Sequence, residues 1–92
     1  MENKTRIIMT EVKSPHGRYV DFMVKGTGEH VAEVDRRNGK YAVFSIRGGI
    51  MDWVAEEWQK SRAINRAQKE ILGFIPNAEF KWNVMTKRIR FA

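Results

Sequence analysis

An Asn-Gly pair at residues 38 and 39 lies between two short runs of alternating apolar and polar residues, HVAEVD and KYAVFSI. This pair constrains the fold more than any other local feature. Asn-Gly favours a type I′ turn, whose twist matches that of two paired strands. The sequence therefore predicts a β-hairpin with strands at His30–Asp35 and Lys40–Ile46.

A second hairpin is predicted in the preceding residues. Proline and glycine in Ser14-Pro15-His16-Gly17 favour a turn, since proline presets φ and glycine tolerates a positive φ. The flanking runs Arg6–Lys13 and Arg18–Lys25 have strand character, with Val20, Phe22 and Val24 alternating on one face. Two hairpins in succession indicate one antiparallel sheet.

The hydrophobic period changes after Gly48-Gly49. Residues Ile50–Leu72 are mostly good helix formers without proline or internal glycine, and Gly73 follows as a helix-ending glycine would. From Phe80 the period returns to two, which predicts a C-terminal strand. The expected fold is α+β: an antiparallel sheet of four to five strands with one long helix packed on one face, in the order β-β-β-β-α-β.

A helical wheel over Ile50–Leu72 separates three groups of side chains. One is a core stripe that includes Trp53, which should therefore be buried. The others are a basic row and, unless the helix is kinked or broken near Ser61, an apolar strip beside it, which a partner or a second subunit in a homodimer could cover. The core stripe is Trp53, Ile64, Ala67 and Ile71; the basic row is Arg62, Arg66 and Lys69; the apolar strip is Met51, Val54, Ala55 and Trp58. On this helix Trp58 would be partly exposed and would touch Arg62, four residues later.

Composition limits the classes of function. Ninety-two residues form one basic domain, residues 1–92, with a formal net charge of +6. Such a surplus favours a polyanionic partner such as a nucleic acid, although small domains also carry charge for solubility. The sequence has no cysteine and no apolar run of membrane-spanning length, so we expect a cytoplasmic protein without a membrane partner.

Enzyme motifs are weak in this chain. Glu79-Phe80-Lys81 has the Glu-x-Lys form of metal-dependent nucleases, with Asp35 as the one suitable further carboxylate, but this tripeptide arises often by chance. No nucleophile pairing or phosphate loop is present. We therefore expect no catalytic residues, no metal site and no cofactor.

The leading hypothesis is a non-catalytic protein that binds RNA or DNA mainly through phosphate contacts. The alternative is a small phage-type inhibitor or accessory factor that binds a host defence or nucleic-acid-processing protein complex, based on size and build alone. Candidate binding residues are the basic side chains of the helix, the Asn-Gly turn and the tail, with one tryptophan. These are Arg62, Arg66, Lys69, Trp58, Arg36, Arg37, Lys40, Arg47, Lys87, Arg88 and Arg90.

Overall fold

The computed structural model describes residues 3–15 and 17–88. Seven strands and one helix follow one another in these residues. They are β1 (Thr5–Ser14), β2 (Gly17–Val24), β3 (His30–Arg37), β4 (Lys40–Arg47), β5 (Ile50–Glu57), α1 (Lys60–Phe74), β6 (Ala78–Trp82) and β7 (Lys87–Arg88).

All the strands belong to one sheet with the order β5-β4-β3-β2-β1-β6, and β7 also pairs with β1. Both predicted hairpins are confirmed, since β1 pairs antiparallel with β2 and β3 with β4. Asn38 and Gly39 have φ values of 50° and 79°, as the predicted turn requires. The α+β class is confirmed as well.

A purely antiparallel sheet of four to five strands is wrong, because the sheet is mixed and larger. β6 and β7 both run parallel to β1. The cause is the crossover: α1 follows β5 at one edge of the sheet and leads to β6 at the other. The chain thus re-enters the sheet beside the beginning of β1, where Ala78 pairs with Thr5. From there β6 runs in the same direction as β1.

The predicted helix at Ile50–Leu72 is also wrong in its first third. Gly48 and Gly49 have φ values of 58° and 79° and form another two-residue hairpin turn, so Ile50–Glu57 pairs antiparallel with β4 as β5. The helix begins only at Lys60 and continues past Gly73 to Phe74. Among the described residues, no helix has the length and apolar character needed to cross a bilayer.

The core lies between α1 and one face of the sheet, which we call the helix side. Ala63, Ala67 and Ile71 are fully buried there, and the two alanines permit a close approach. The main sheet residues of this core are Ile7, Met9, Val20, Phe22, Val31, Ala32, Val34 and Val43. Ala67 and Ile71 were predicted for the core correctly, and Ile64 is partly buried against it.

Trp53 does not belong to this core. It lies on β5 opposite Phe44, its side chain is 64% exposed, and its indole Nε1 donates to the carbonyl of Ala55 at 3.0 Å. The prediction of a buried Trp53 was wrong because it assumed a helical period where the chain is extended. Among the residues that the structure describes, no helix packs on the sheet face that carries Phe44 and Trp53, and we call this face the open side.

Candidate nucleic-acid interface

Hairpin connectivity brings several predicted cations to one end of the sheet. The β1–β2 and β3–β4 turns lie at the same end, because β1 to β4 are successive antiparallel neighbours. β7 joins there beside Val12 and Lys13, and α1 begins there after β5. We call this the basic end; its predicted members are Arg36, Arg37, Lys40, Lys87 and Arg88.

Register separates these cations by face. Lys13 pairs with Arg18 on β2 and with Arg88 on β7, and it follows Ile7 and Met9 at two-residue intervals on the helix side. Paired residues on adjacent strands share a face and lie roughly 5 Å apart. Arg88, Lys13 and Arg18 therefore stand side by side on the helix side.

Arg36 extends the series to β3. It pairs with Tyr41, a residue packed against the core on the helix side, and it lines the same cavity as Lys13 and Arg18. We call Arg88, Lys13, Arg18 and Arg36 the cationic row. Towards the β5 edge the next residues are Tyr41 and then Glu57, so the positive charge ends at β4.

Three members of the cationic row, Lys13, Arg18 and Arg36, border a cavity of about 100 Å³ between the sheet and the first turn of α1. The lining residues are Glu11, Val12, Lys13, Arg18, Tyr19, Val20, Val34, Arg36, Tyr41 and Lys60. Lys60, the first residue of α1, forms a salt bridge with Glu11 on β1. The hydrogen bond from Lys60 holds the pKa of the Glu11 carboxyl below its ordinary value, so this carboxylate stays ionised beside the cations.

The other described cations of the turn and tail, Arg37, Lys40 and Lys87, lie on the open side, where the first two are paired. Arg37 donates to Asp35 at 3.3 Å, and its guanidinium lies 5.2 Å from the centre of the Phe44 ring. Lys40 forms a salt bridge with Glu56 at 3.6 Å and lies 4.7 Å over the ring of Trp58. Such exposed pairs add little stability, but they reduce the charge available to a ligand. Lys87 pairs with Val12 and so points away from the row.

The predicted row Arg62, Arg66 and Lys69 lies on the exposed surface of α1, opposite Ala63, Ala67 and Ile71. Its solvent exposure is as predicted, and Arg66 also donates to Glu70 at 3.3 Å. Because α1 packs on the helix side, this row and the cationic row face the same half of the molecule. They can form one surface around the beginning of the helix.

Other predicted site residues do not join this surface. Arg47 is at the opposite end of β4, where its guanidinium lies 4.2 Å from the centre of the Phe74 ring. Trp58 is 73% exposed, as expected, but it precedes α1 and contacts Lys40, so the predicted helical contact with Arg62 is wrong. Arg90 lies outside the described residues.

The strip predicted for a homodimer is divided between the two sides of the sheet. Val54 and Ala55 pack toward the core, whereas Met51 and Trp58 are exposed. The division follows from β5 being a strand with a bulge near Val54, and not a helix. No continuous apolar strip of these four residues exists.

The open side carries an acidic cluster of Asp21, Glu33 and Asp35 on β2 and β3. Burial, a hydrogen bond to Asp35 and the nearby negative charges raise the pKa of Glu33 to about 8. His30 Nδ1 lies 2.7 Å from Asp21 Oδ1. In the described part of the chain, no group of three or more histidine, cysteine, aspartate or glutamate side chains is placed to hold a metal ion. The acidic cluster and the cationic row thus lie on opposite faces of the sheet.

The nuclease-like tripeptide is not assembled with the carboxylate considered for it. Glu79 is on the edge strand β6, within 3.8 Å of Lys4, whereas Asp35 is on β3, with β2 and β1 between them.

Three residues of the helix-side surface were missed in the sequence: Lys13, Arg18 and Lys60. Lys13 and Arg18 flank the first turn much as Arg36 and Lys40 flank the second. The rule that selected cations beside the Asn-Gly turn would have found them. No sequence pattern marked Lys60 as a binding residue, because the predicted helix began at Ile50 and Lys60 lay in its interior.

Comparison with protein families, with curated proteins and with solved structures finds no match for this chain.

Proposed function

We propose that this protein is a non-catalytic nucleic-acid-binding protein that holds the phosphate backbone at the basic end of its helix side. The single observation that carries the proposal is the cationic row. The side chains of Arg88, Lys13 and Arg18 stand on three adjacent strands. Arg36, on the next strand, lines the same cavity as Lys13 and Arg18.

These cations are available to a ligand. Within residues 3–15 and 17–88, Lys13, Arg18 and Arg36 form no salt bridge, unlike Arg37 and Lys40. Arginine donors match phosphate oxygens in forked pairs, and unpaired cations release counterions when a polyanion binds. The row would thus supply affinity with little sequence discrimination, since phosphate contacts do not read bases.

The distribution of acidic groups supports one orientation for the nucleic acid. Asp21 and Asp35 lie on the open side, together with Arg37, which is already paired. The helix side holds the cationic row, Lys60 and the row on α1. A strand that crosses the basic end on the helix side would pass the first turn of α1 and avoid the acidic cluster.

The test compares three triple charge reversals, each of which takes the net charge from +6 to 0. The first is Lys13→Glu, Arg18→Glu and Arg36→Glu. The second is Arg62→Glu, Arg66→Glu and Lys69→Glu on α1. The matched control is Lys4→Glu, Lys25→Glu and Lys81→Glu, away from the basic end.

Binding to single-stranded RNA and DNA is measured by fluorescence anisotropy over a range of salt. Wild type should show a log–log salt slope of about −0.7 per phosphate contact. The first triple should lose the most affinity, the helix triple less, and the control least. Equal losses in all three would mean that charge acts diffusely, and no binding by wild type at low salt would refute the proposal.

A second candidate function is binding to a protein complex, as an inhibitor or accessory factor of the phage type. The strand β5 favours it, because β5 forms an edge of the sheet among residues 3–15 and 17–88, Ile50, Met51 and Trp53 are all exposed there, and an edge strand can accept a further strand. If wild type binds no nucleic acid, Trp53→Lys should weaken capture of the protein partner while the Lys13, Arg18 and Arg36 reversals should not.

A further inference from the structure

The cavity at the basic end has the composition of an anion site. Four cations and one carboxylate line it, and the carboxylate of Glu11 is already held by Lys60. Three cations, Lys13, Arg18 and Arg36, are left without a counter-ion at hydrogen-bonding distance in the described part of the chain. Clustered cations repel one another, so a compact anion would relieve the repulsion.

The cations also reach the cavity from different directions. Lys13, Arg18 and Arg36 come from β1, β2 and β3, and Lys60 comes from the helix that covers the sheet. The positive end of the α1 dipole lies at the same place, since Lys60 is the first helical residue and no acidic residue occupies the first turn. A ligand group would therefore have cations on two sides, from the sheet face and from the first turn of α1.

Charge and shape together select the kind of phosphate. A phosphate monoester carries a charge of about −1.5 to −2 at pH 7 and offers three free oxygens, whereas an internal diester carries one negative charge and two free oxygens. Three cations without a salt bridge, of which Lys13 and Arg18 also lie near the Glu11 carboxylate, match the monoester better. The cavity of about 100 Å³ is large enough for one phosphate group.

We propose that this cavity binds a phosphate monoester, and, resting on the proposed function, that the monoester is the terminal phosphate of a nucleic-acid strand. The half-buried Tyr41 lines the same cavity and presents an aromatic ring beside Arg36. The sugar or base next to the terminal phosphate can stack on it. The cationic row then contacts the phosphates that follow the bound terminal phosphate along the strand.

The experiment uses oligonucleotides of about eight nucleotides, within the usual site size of single-strand-binding domains. Their sequence is identical, and they carry a 5′-phosphate, a 3′-phosphate or no terminal phosphate. A nucleoside monophosphate and inorganic phosphate are tested as free sources of the same group. The cavity variant is Arg18→Gln with Arg36→Gln, and the control of equal charge, away from the basic end, is Lys25→Gln with Lys81→Gln.

Wild type should bind one of the end-phosphorylated strands roughly tenfold or more tighter than the unphosphorylated strand, the gain expected for charge-assisted contacts to one group. The cavity variant should lose that preference and the control should keep it. If the variant does not fold, inorganic phosphate titrated into wild type should still shift the amide resonances of Arg18, Arg36 and Lys60 more than those of Arg62 and Lys69.

Failure of this inference is distinguishable from failure of the proposed function. Tight, salt-sensitive binding without any end preference would overturn the cavity site and leave the nucleic-acid proposal standing. A preference that survives in the cavity variant would also overturn it. Binding of the monophosphate at these residues without binding of any strand would support the monoester site and refute the nucleic-acid proposal.

Discussion

The pKa of the Glu33 carboxyl group is changed by its burial and by the residues around it. It lies on β3 opposite Asp21 and two residues before Asp35, so three carboxyl groups share one patch of the open side. Burial is the largest cause of its raised pKa, followed by the hydrogen bond and charge of Asp35 and the charge of Asp21, while Arg37 opposes them. Glu33 thus keeps a proton at neutral pH.

The same carboxyl groups act on Tyr19. Burial is the first cause that raises the pKa of its hydroxyl, and Glu33, Asp21 and Asp35 add to it. His30 also faces this patch through Asp21.

The pH dependence of stability follows from Glu33. Its pKa of about 8 in the folded state exceeds the ordinary value of 4.5, so the folded protein binds a proton that the unfolded chain has lost. Stability therefore falls as pH rises from about 4.5 to about 8. Glu33→Gln removes the titrating group and should flatten this slope, which urea unfolding at about pH 5 and about pH 8.5 would measure.

The control is Glu29→Gln, at an exposed position in the turn before β3. It should leave the slope as it is in wild type. An unchanged slope in Glu33→Gln would mean that Glu33 does not retain the proton.

At the scale of elements, two glycine-containing segments that look alike in the sequence have opposite conformations. Gly49 lies in the β4–β5 turn with a φ of +79°, where a side chain is strained. Gly73 lies inside α1 and has no unusual φ, and a side-chain carbon at this position would meet no atom within 4 Å. The helix ends one residue later, at Phe74.

These conformations predict opposite effects of one substitution. Gly73→Ala should stabilise the protein by about 0.5–1 kcal/mol, because alanine loses less backbone entropy in a helix. Gly49→Ala should destabilise it by about 1 kcal/mol or more, because alanine disfavours a positive φ. Thermal unfolding of the two variants measures both, and a loss of stability in Gly73→Ala would place Gly73 in a helix-ending turn.

At the scale of the whole molecule, charge is unevenly distributed. The +6 surplus is concentrated at the basic end and along α1, and the acidic cluster is on the open side. Like charges gathered on one surface oppose folding as they favour a polyanion. Binding capacity and mutual repulsion come from the same residues.

Salt should therefore stabilise the free protein. Raising ionic strength from low to moderate values screens the repulsion among Lys13, Arg18 and Arg36, so the midpoint of thermal unfolding should rise. The Lys13, Arg18 and Arg36 reversal should reduce this rise more than the reversal of Lys4, Lys25 and Lys81, which changes the net charge equally. The same response in both variants would assign the effect to net charge alone.

Local chemistry allowed several features to be predicted from the sequence by itself. The Asn38-Gly39 turn, the alternation in β1 to β4 and the helical period from Lys60 onward each depend on residues close together in the chain. The exposure of Arg62, Arg66 and Lys69 followed from that period. The position of the turn also predicted that Arg36 lies at the end of the sheet where β3 and β4 are joined.

Tertiary structure decided the rest. Ile50–Glu57 has residues that suit a helix, and only its pairing with β4 makes it a strand and exposes Trp53. The parallel direction of β6 depends on where the crossover helix returns the chain. Arg88 is far from Lys13 and Arg18 in the sequence and meets them only through the pairing of β7 with β1, which local periodicity does not encode, so the complete cationic row could be seen only in the folded molecule.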